Sequence, residues 1–200
     1  LGINSTYVKN EGSNIGYDYG SVRPYDRILD ENGNYVSRTS RVPDHMKQGF
    51  YNNGYLSWDD SALQNMQNTT TKKSTFASRI NVGADYEIIK GLNFSSQFQT
   101  ELRFTNNENL QGIDAYYPRL MANTWRVSTG SGSFVNKFPA GPVFDKGKEN
   151  QNSWTFRNVA NLDRQFGSDH AINAVAGMEL RKVGFTSNSE RYYNYNYKAL

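Results

Sequence analysis

The chain has 200 residues, 36% hydrophobic and 20% charged, with a formal net charge of +3 and a mean hydropathy of −0.77. Aromatics still reach 14%, with 14 Tyr and 11 Phe, and there are 17 Gly, which sets the chain apart from disordered sequences depleted in aromatic residues. No apolar run approaches the roughly 18 residues of a transmembrane helix, basic residues are too scattered for a nucleic-acid footprint, and the absence of cysteine excludes disulfides and thiol chemistry.

The chain starts at Leu1 without Met and stops in mid-pattern, so a piece of a longer protein is expected. Leu1, Ile3, Ser5 and Tyr7 alternate as the end of a strand over residues 1–10. Residues 11–73 form a long loop rich in Asn, Gly, Ser and Tyr. Within it, Asp30-Glu31-Asn32-Gly33-Asn34 has a D-x-N-x-N spacing. A calcium loop of the EF-hand kind needs Gly at its sixth position and Glu at its twelfth, which here are Tyr35 and Arg41, so turn chemistry is the expected use. Tyr55 and Trp58, beside Asp59 and Asp60, are ligand candidates.

A hairpin over 74–105 follows. Phe76, Ile80, Val82, Ala84, Tyr86 and Ile88 fall on one face, Arg79, Asn81, Gly83, Asp85 and Glu87 on the other. After the Ile89-Lys90-Gly91 link, Leu92, Phe94, Phe98, Leu102 and Phe104 alternate with Gln97, Gln99, Glu101 and Arg103. Residues 106–152 form a second long loop, where Tyr116, Tyr117 and Trp125, near Asn123 and Arg126, are further ligand candidates. A second hairpin over 153–187 pairs Trp154, Phe156, Leu162 and Phe166 with Ile172, Met178 and Leu180 through a Gly167-Ser168-Asp169 turn. Residues 188–200 open the next loop.

Tiny turns alternate with very long loops, and each run lasts about 12–14 residues against the 5–6 usual in soluble strands. That asymmetry predicts an all-β fold: a segment of an antiparallel transmembrane β-barrel with about five long strands, short periplasmic turns and long extracellular loops. Phe76 and Phe104 would face each other at the loop end of the first hairpin, with Tyr86 and Phe94 at its turn end, as an interfacial girdle. Arg79, Asp85, Glu87, Glu101, Arg103, Arg157, Asp163, Glu179 and Arg181 would then face the lumen, mostly in cross-strand pairs. A soluble β-sandwich alternates too, with its apolar face inward. About five strands cannot close a barrel whose smallest examples have eight.

Two hairpins and the loop before them carry a family resemblance. Asp85-Tyr86-Glu87-Ile88-Ile89-Lys90-Gly91-Leu92-Asn93-Phe94 resembles a hairpin of the SusC/RagA-type TonB-dependent outer-membrane transporters. Asn158 to Glu179, with Phe166-Gly167-Ser168-Asp169-His170 and Ala174-Val175-Ala176-Gly177-Met178-Glu179, resembles a later hairpin of that family. Arg23-Pro24-Tyr25 and Leu29-Asp30-Glu31-Asn32-Gly33-Asn34-Tyr35 are similar to the loop before them. The resemblance implies a larger 22-stranded barrel plugged by a separate domain, importing oligosaccharides, glycans or peptides. It implies a SusD-like surface lipoprotein and the TonB complex as partners, outer-membrane lipid as surroundings, and no cofactor. The plug and the TonB-contacting segment match nothing in these 200 residues.

Other function classes have less behind them. His45 and His170 lack a nucleophile at a recognisable spacing, and no phosphate loop, GxSxG or metal-type His cluster occurs, so no catalytic residue is expected. The alternative from another class is a soluble all-β glycan-binding or adhesin module. A glycoside hydrolase would have only its abundance of carboxylates in its favour.

Overall fold

The computed structural model describes residues 2–14, 25, 27–37, 39–40, 42–130 and 133–196. Arg23, Pro24 and the last residues of the 188–200 segment, Tyr197 to Leu200, lie outside these. Five long strands make one sheet in the order β1-β4-β5-β8-β9: β1 Gly2–Asn14, β4 Thr69–Ile89, β5 Leu92–Gln111, β8 Val143–Phe166 and β9 His170–Tyr193. The fold is therefore mostly antiparallel β-sheet.

Between the long strands lie short elements. After β1 come β2 (Thr39–Ser40), helix α1 (Asp44–Asn52), β3 (Asp59–Asp60) and helix α2 (Ala62–Gln67). After β5 come helix α3 (Tyr116–Thr124) and a small hairpin of β6 (Arg126–Ser128) and β7 (Phe134–Asn136). Both stretches were expected to lack regular structure. Helices of six to nine residues span too few turns to imprint a period on the sequence.

Strand pairing follows the predicted alternation. Arg79 meets Glu101, Ser95 meets Asp85 and the Phe76 ring meets Phe104, so each step along β4 is matched by an equal step back along β5. Arg157 with Glu179, and Asp145 with Arg191, keep one register along β8 and β9. The turn after β4 relies on Gly91, whose φ of +83° favours glycine. A Cβ there would stand 2.1 Å from the Asp163 carbonyl oxygen, while the Asp163 N–H donates to the Gly91 carbonyl at 2.7 Å. The first turn is thus pinned against β8. The second turn uses Gly167, at φ +68°, with open space around it.

The strands outrun the predicted hairpins 74–105 and 153–187. β4 starts at Thr69 and β5 runs to Gln111, while β8 starts at Val143 and β9 runs to Tyr193. At these outer ends the apolar stripe fades while polar cross-strand pairs continue, such as Thr71 donating to the Asn109 side chain at 3.2 Å. A ladder needs only backbone groups; the stripe reports which face is apolar.

By contact density the chain divides into two units. A sheet unit comprises Leu1–Glu11, Ser74–Asn106 and Lys148–Asn188; a loop unit comprises Gly12–Lys73, Asn107–Gly147 and Ser189–Leu200. In the sheet unit the apolar face stands open: Ile80 is 43% exposed, Val82 37%, Phe98 43% and Met178 53%. In the loop unit Val42, Ala115, Ala122 and Val143 are buried, with Ser61, Arg119 and Asn123 beside them as buried polar residues. That core is held by long-range polar contacts. Ser61 caps α2 by accepting from the Gln64 N–H at 3.5 Å, and α3, whose N-cap Ala115 has no capping side chain, borrows one: the Tyr116 N–H donates to Asn65 Oδ1 at 2.7 Å.

Candidate functional site

Two arrangements bear on function, one in each unit. In the sheet unit, strand alternation puts Arg79, Asp85, Glu101 and Arg103 on one face, and Arg157 and Glu179 likewise pair across β8 and β9. Arg79 holds Glu101 through Nη2 at 2.8 Å and Nε at 3.2 Å, and Arg103 reaches the other Glu101 oxygen at 3.3 Å. Arg157 pairs with Glu179 at 2.5 Å, and Asp85 accepts from Ser95 Oγ at 2.5 Å. Asp163 contributes its backbone to the Gly91 turn, and its side chain and that of Arg181 are exposed. Each pair is partly exposed, so its contribution to stability is small, about 0.2–1 kcal/mol.

These residues border a cavity of about 540 Å³ lined by Asn81, Asp85, Gln97, Gln99, Thr155 and Arg157, among others. Amides, a carboxylate, a hydroxyl and a guanidinium can exchange hydrogen bonds with a polar, hydroxyl-bearing solute. They offer no activated nucleophile.

In the loop unit several of the predicted ligand aromatics make contacts within the protein. Tyr55 stacks near Trp58 at 6.0 Å between ring centroids and meets Phe50 at 5.1 Å and Phe134 at 5.8 Å, both edge-on. Arg126 lies over the Tyr55 and Phe134 rings at 5.2 and 5.7 Å, and donates to the Asn53 carbonyl and Asn136 Oδ1 at 2.7 and 2.8 Å. Gly54 allows that approach, since a Cβ there would be 2.7 Å from Arg126 Nη2. The Asn123 side chain exchanges two hydrogen bonds with the Leu56 backbone, 2.8 and 2.9 Å. Tyr55, Trp58, Asn123 and Arg126 therefore clasp the 50–58 segment to the β6–β7 hairpin and α3.

Tyr117 is also committed: its hydroxyl accepts from Arg191 Nη1 at 2.7 Å, and the guanidinium lies 5.2 Å from its ring centre. Arg191 is held in turn by both oxygens of Asp145, and this contact raises its pKa above the ordinary value. Tyr116 is half-buried at the start of α3. Trp125, directly after α3, is 53% exposed and is the predicted loop aromatic most available to a ligand.

Three residues that sequence reasoning did not single out anchor this unit. Arg119, 6% exposed, donates from Nη2 to the Asp59 carbonyl at 2.7 Å, and burial pushes its pKa below the ordinary value. Lys47 bridges Asp44 and Asp59, each at 2.6 Å. Asn65 bonds both Asp60 and the start of α3. Only the Asp44–Lys47 pair, at i,i+3 on α1, has a spacing that sequence could have offered; the other partners are distant in sequence or lie outside a common helix.

Asp30 serves its own turn. Its Oδ1 accepts the Asn32 and Asn34 N–H groups at 2.9 and 2.8 Å, its Oδ2 accepts Asn34 Nδ2 at 3.0 Å, and Gly33 has φ +81°. Hydrogen bonds from Asn34 hold the carboxyl below its usual range. His45, on α1, and His170, opening β9, are exposed. No family model matches this chain, and no curated protein is significantly similar to it.

Proposed function

We propose that these residues form part of the wall and outer loops of a closed outer-membrane β-barrel. Its function would be TonB-dependent import of oligosaccharides, glycans or peptides, with a SusD-like surface lipoprotein over the loops. The carrying observation is the open apolar face, with Ile80, Val82, Phe98 and Met178 exposed on a sheet whose other face holds the ion pairs. A soluble sandwich would lay a second apolar layer over that face. Hydrocarbon satisfies it equally, and closure of the sheet then pairs the edge strands β1 and β9 with further strands.

The dimensions support this reading. Tyr7, Phe76 and Phe104 form an aromatic row across β1, β4 and β5, with ring centroids 5.2 and 5.9 Å apart. From Phe76 to Tyr86, near the turn, is about ten residues, or about 33 Å of strand; a tilt of about 45° leaves a height of about 23 Å, close to the roughly 25 Å apolar band of such barrels. The 24 residues of β8 extend for about 80 Å, well beyond what a bilayer requires.

In this mechanism the polar face lines the passage and gives hydroxyl-rich solutes exchangeable hydrogen bonds. The loop unit, with Trp125 exposed, forms part of the mouth. Fractionation tests the reading: the protein should sediment with outer membranes and require detergent for extraction. Release by a salt wash would favour the soluble binding module instead.

A further inference from the structure

The loop unit holds a second cavity whose lining chemistry differs from that of the passage. Side chains alternate between sheet faces. Thr71, Asn109, Asp145 and Arg191 share one face, the one on which Arg191 meets Tyr117 of α3. Their neighbours Thr70 and Lys72 on β4, Glu108 and Leu110 on β5, and Phe144 and Lys146 on β8 fall on the opposite face. Together with Tyr195 they line a cavity of about 320 Å³.

One wall is aromatic and firmly placed. Phe144 and Tyr195 stack with centroids 4.5 Å apart and an interplanar angle of 22°, and Tyr192 lies 6.2 Å from Phe144. The Tyr195 N–H donates to the Pro142 carbonyl at 3.0 Å. Asn194, in the left-handed region at φ 53°, occupies the space a Cβ of Gly141 would take. The aromatic wall is thus built by tight backbone packing.

The other wall is cationic. β5 lies between β4 and β8, so Lys72 and Lys146 start about 10 Å apart at their backbones, a gap two lysine stems can close from either side. Neither ammonium forms an ion pair with a described residue. Glu108, on the strand between them, can accept hydrogen bonds from hydroxyl groups. A group with two or more negative oxygens would engage both lysines, while the apolar face of a sugar ring would lie against the aromatic wall.

We propose that this cavity binds a phosphorylated sugar unit, taken either from a soluble sugar phosphate or from the phosphorylated headgroup of lipopolysaccharide. The proposal rests on this cavity alone and does not depend on the transport reading.

Calorimetry on the detergent-purified protein, with glucose 6-phosphate and glucose as probes, tests this together with the variant Lys72→Gln/Lys146→Gln, whose exposed or half-exposed side chains keep their stems. Glucose 6-phosphate should bind at least tenfold more tightly than glucose, and the double variant should lose at least tenfold while melting at the wild-type temperature. Native mass spectrometry distinguishes the sources. Lipopolysaccharide retained by the wild type and lost by the double variant assigns the site to the lipid headgroup; lysine-dependent glucose 6-phosphate binding without retained lipopolysaccharide assigns it to the soluble ligand. Binding of neither, or binding unchanged in the double variant, overturns the proposal.

Discussion

The sheet unit and the loop unit solve the same problem in opposite ways. The loop unit buries Val42, Ala115, Ala122 and Val143 within itself and ties buried Arg119 and Asn123 to backbone carbonyls, although the buried Arg119 Nε has no partner among the described residues. The sheet unit leaves Ile80, Phe98 and Met178 uncovered and keeps its polar pairs on the other face. A unit with a core of its own is stable by internal packing, whereas a two-faced sheet draws stability from its surroundings. Substitutions should therefore have unequal effects in the two units, and that inequality can be measured.

The largest effect should come from Arg119. Arg119→Ala leaves a cavity and an unpaired Asp59 carbonyl, a loss of about 2–5 kcal/mol in the loop unit. Limited proteolysis should speed up within residues 42–67 and 115–136, while the long strands keep their resistance; uniform loss across the chain would remove the distinction between the units. Next comes Gly91→Ala, which combines a positive φ with collision against the Asp163 carbonyl, about 2–4 kcal/mol. Gly167→Ala meets open space and should cost only about 1 kcal/mol. Urea unfolding from detergent gives the order, and equal losses at the two turns would mean that β8 does not pin the first one.

The hairpins were legible because alternation is a local property: Phe76 to Phe104 carry their faces in their own order, and Gly91 and Gly167 mark the turns. The helices were not. Asn65 caps α3 from 51 positions away, Arg119 becomes meaningful only beneath the Asp59 carbonyl, and the 24 residues of β9 continue past Leu180, where apolar alternation stops. The predicted loop aromatics show the same limit. Composition marked Tyr55, Trp58 and Tyr117 as rings in search of contact, but only folding shows that Phe50, Phe134, Arg126 and Arg191 supply it.

The sharpest contrast between the units lies in paired truncations. Val143→Ala removes packing from a closed core and should cost about 1–3 kcal/mol. On the barrel reading, Ile80 would meet hydrocarbon, so Ile80→Ala would trade side-chain contacts for lipid contacts and should cost less than about 1 kcal/mol, because lipid is as apolar as the side chain removed. An Ile80→Ala loss in the 2–5 kcal/mol range typical of protein cores would show that this face has a protein partner.

The smallest effect should be a pH dependence confined to the loop unit. Lys47 lies between Asp44 and Asp59; its hydrogen bonds, first to Asp44 and then to Asp59, raise its pKa above the ordinary 10.5, and the Lys47 contact holds Asp44 below the ordinary 3.8. A raised lysine contributes stability at every pH below its unfolded value and loses it only in strong alkali. A depressed aspartate contributes above its unfolded value and loses that contribution as pH falls through the folded one. The bridge should therefore be constant from about pH 5 to pH 9 and weaken below pH 4, modestly because Asp44 is fully exposed. Hydrogen exchange at α1 should accelerate between about pH 4 and pH 2, once corrected for intrinsic rates, and Asp44→Asn should flatten that step. A step that persists in Asp44→Asn would show that the Lys47–Asp44 contact does not carry it.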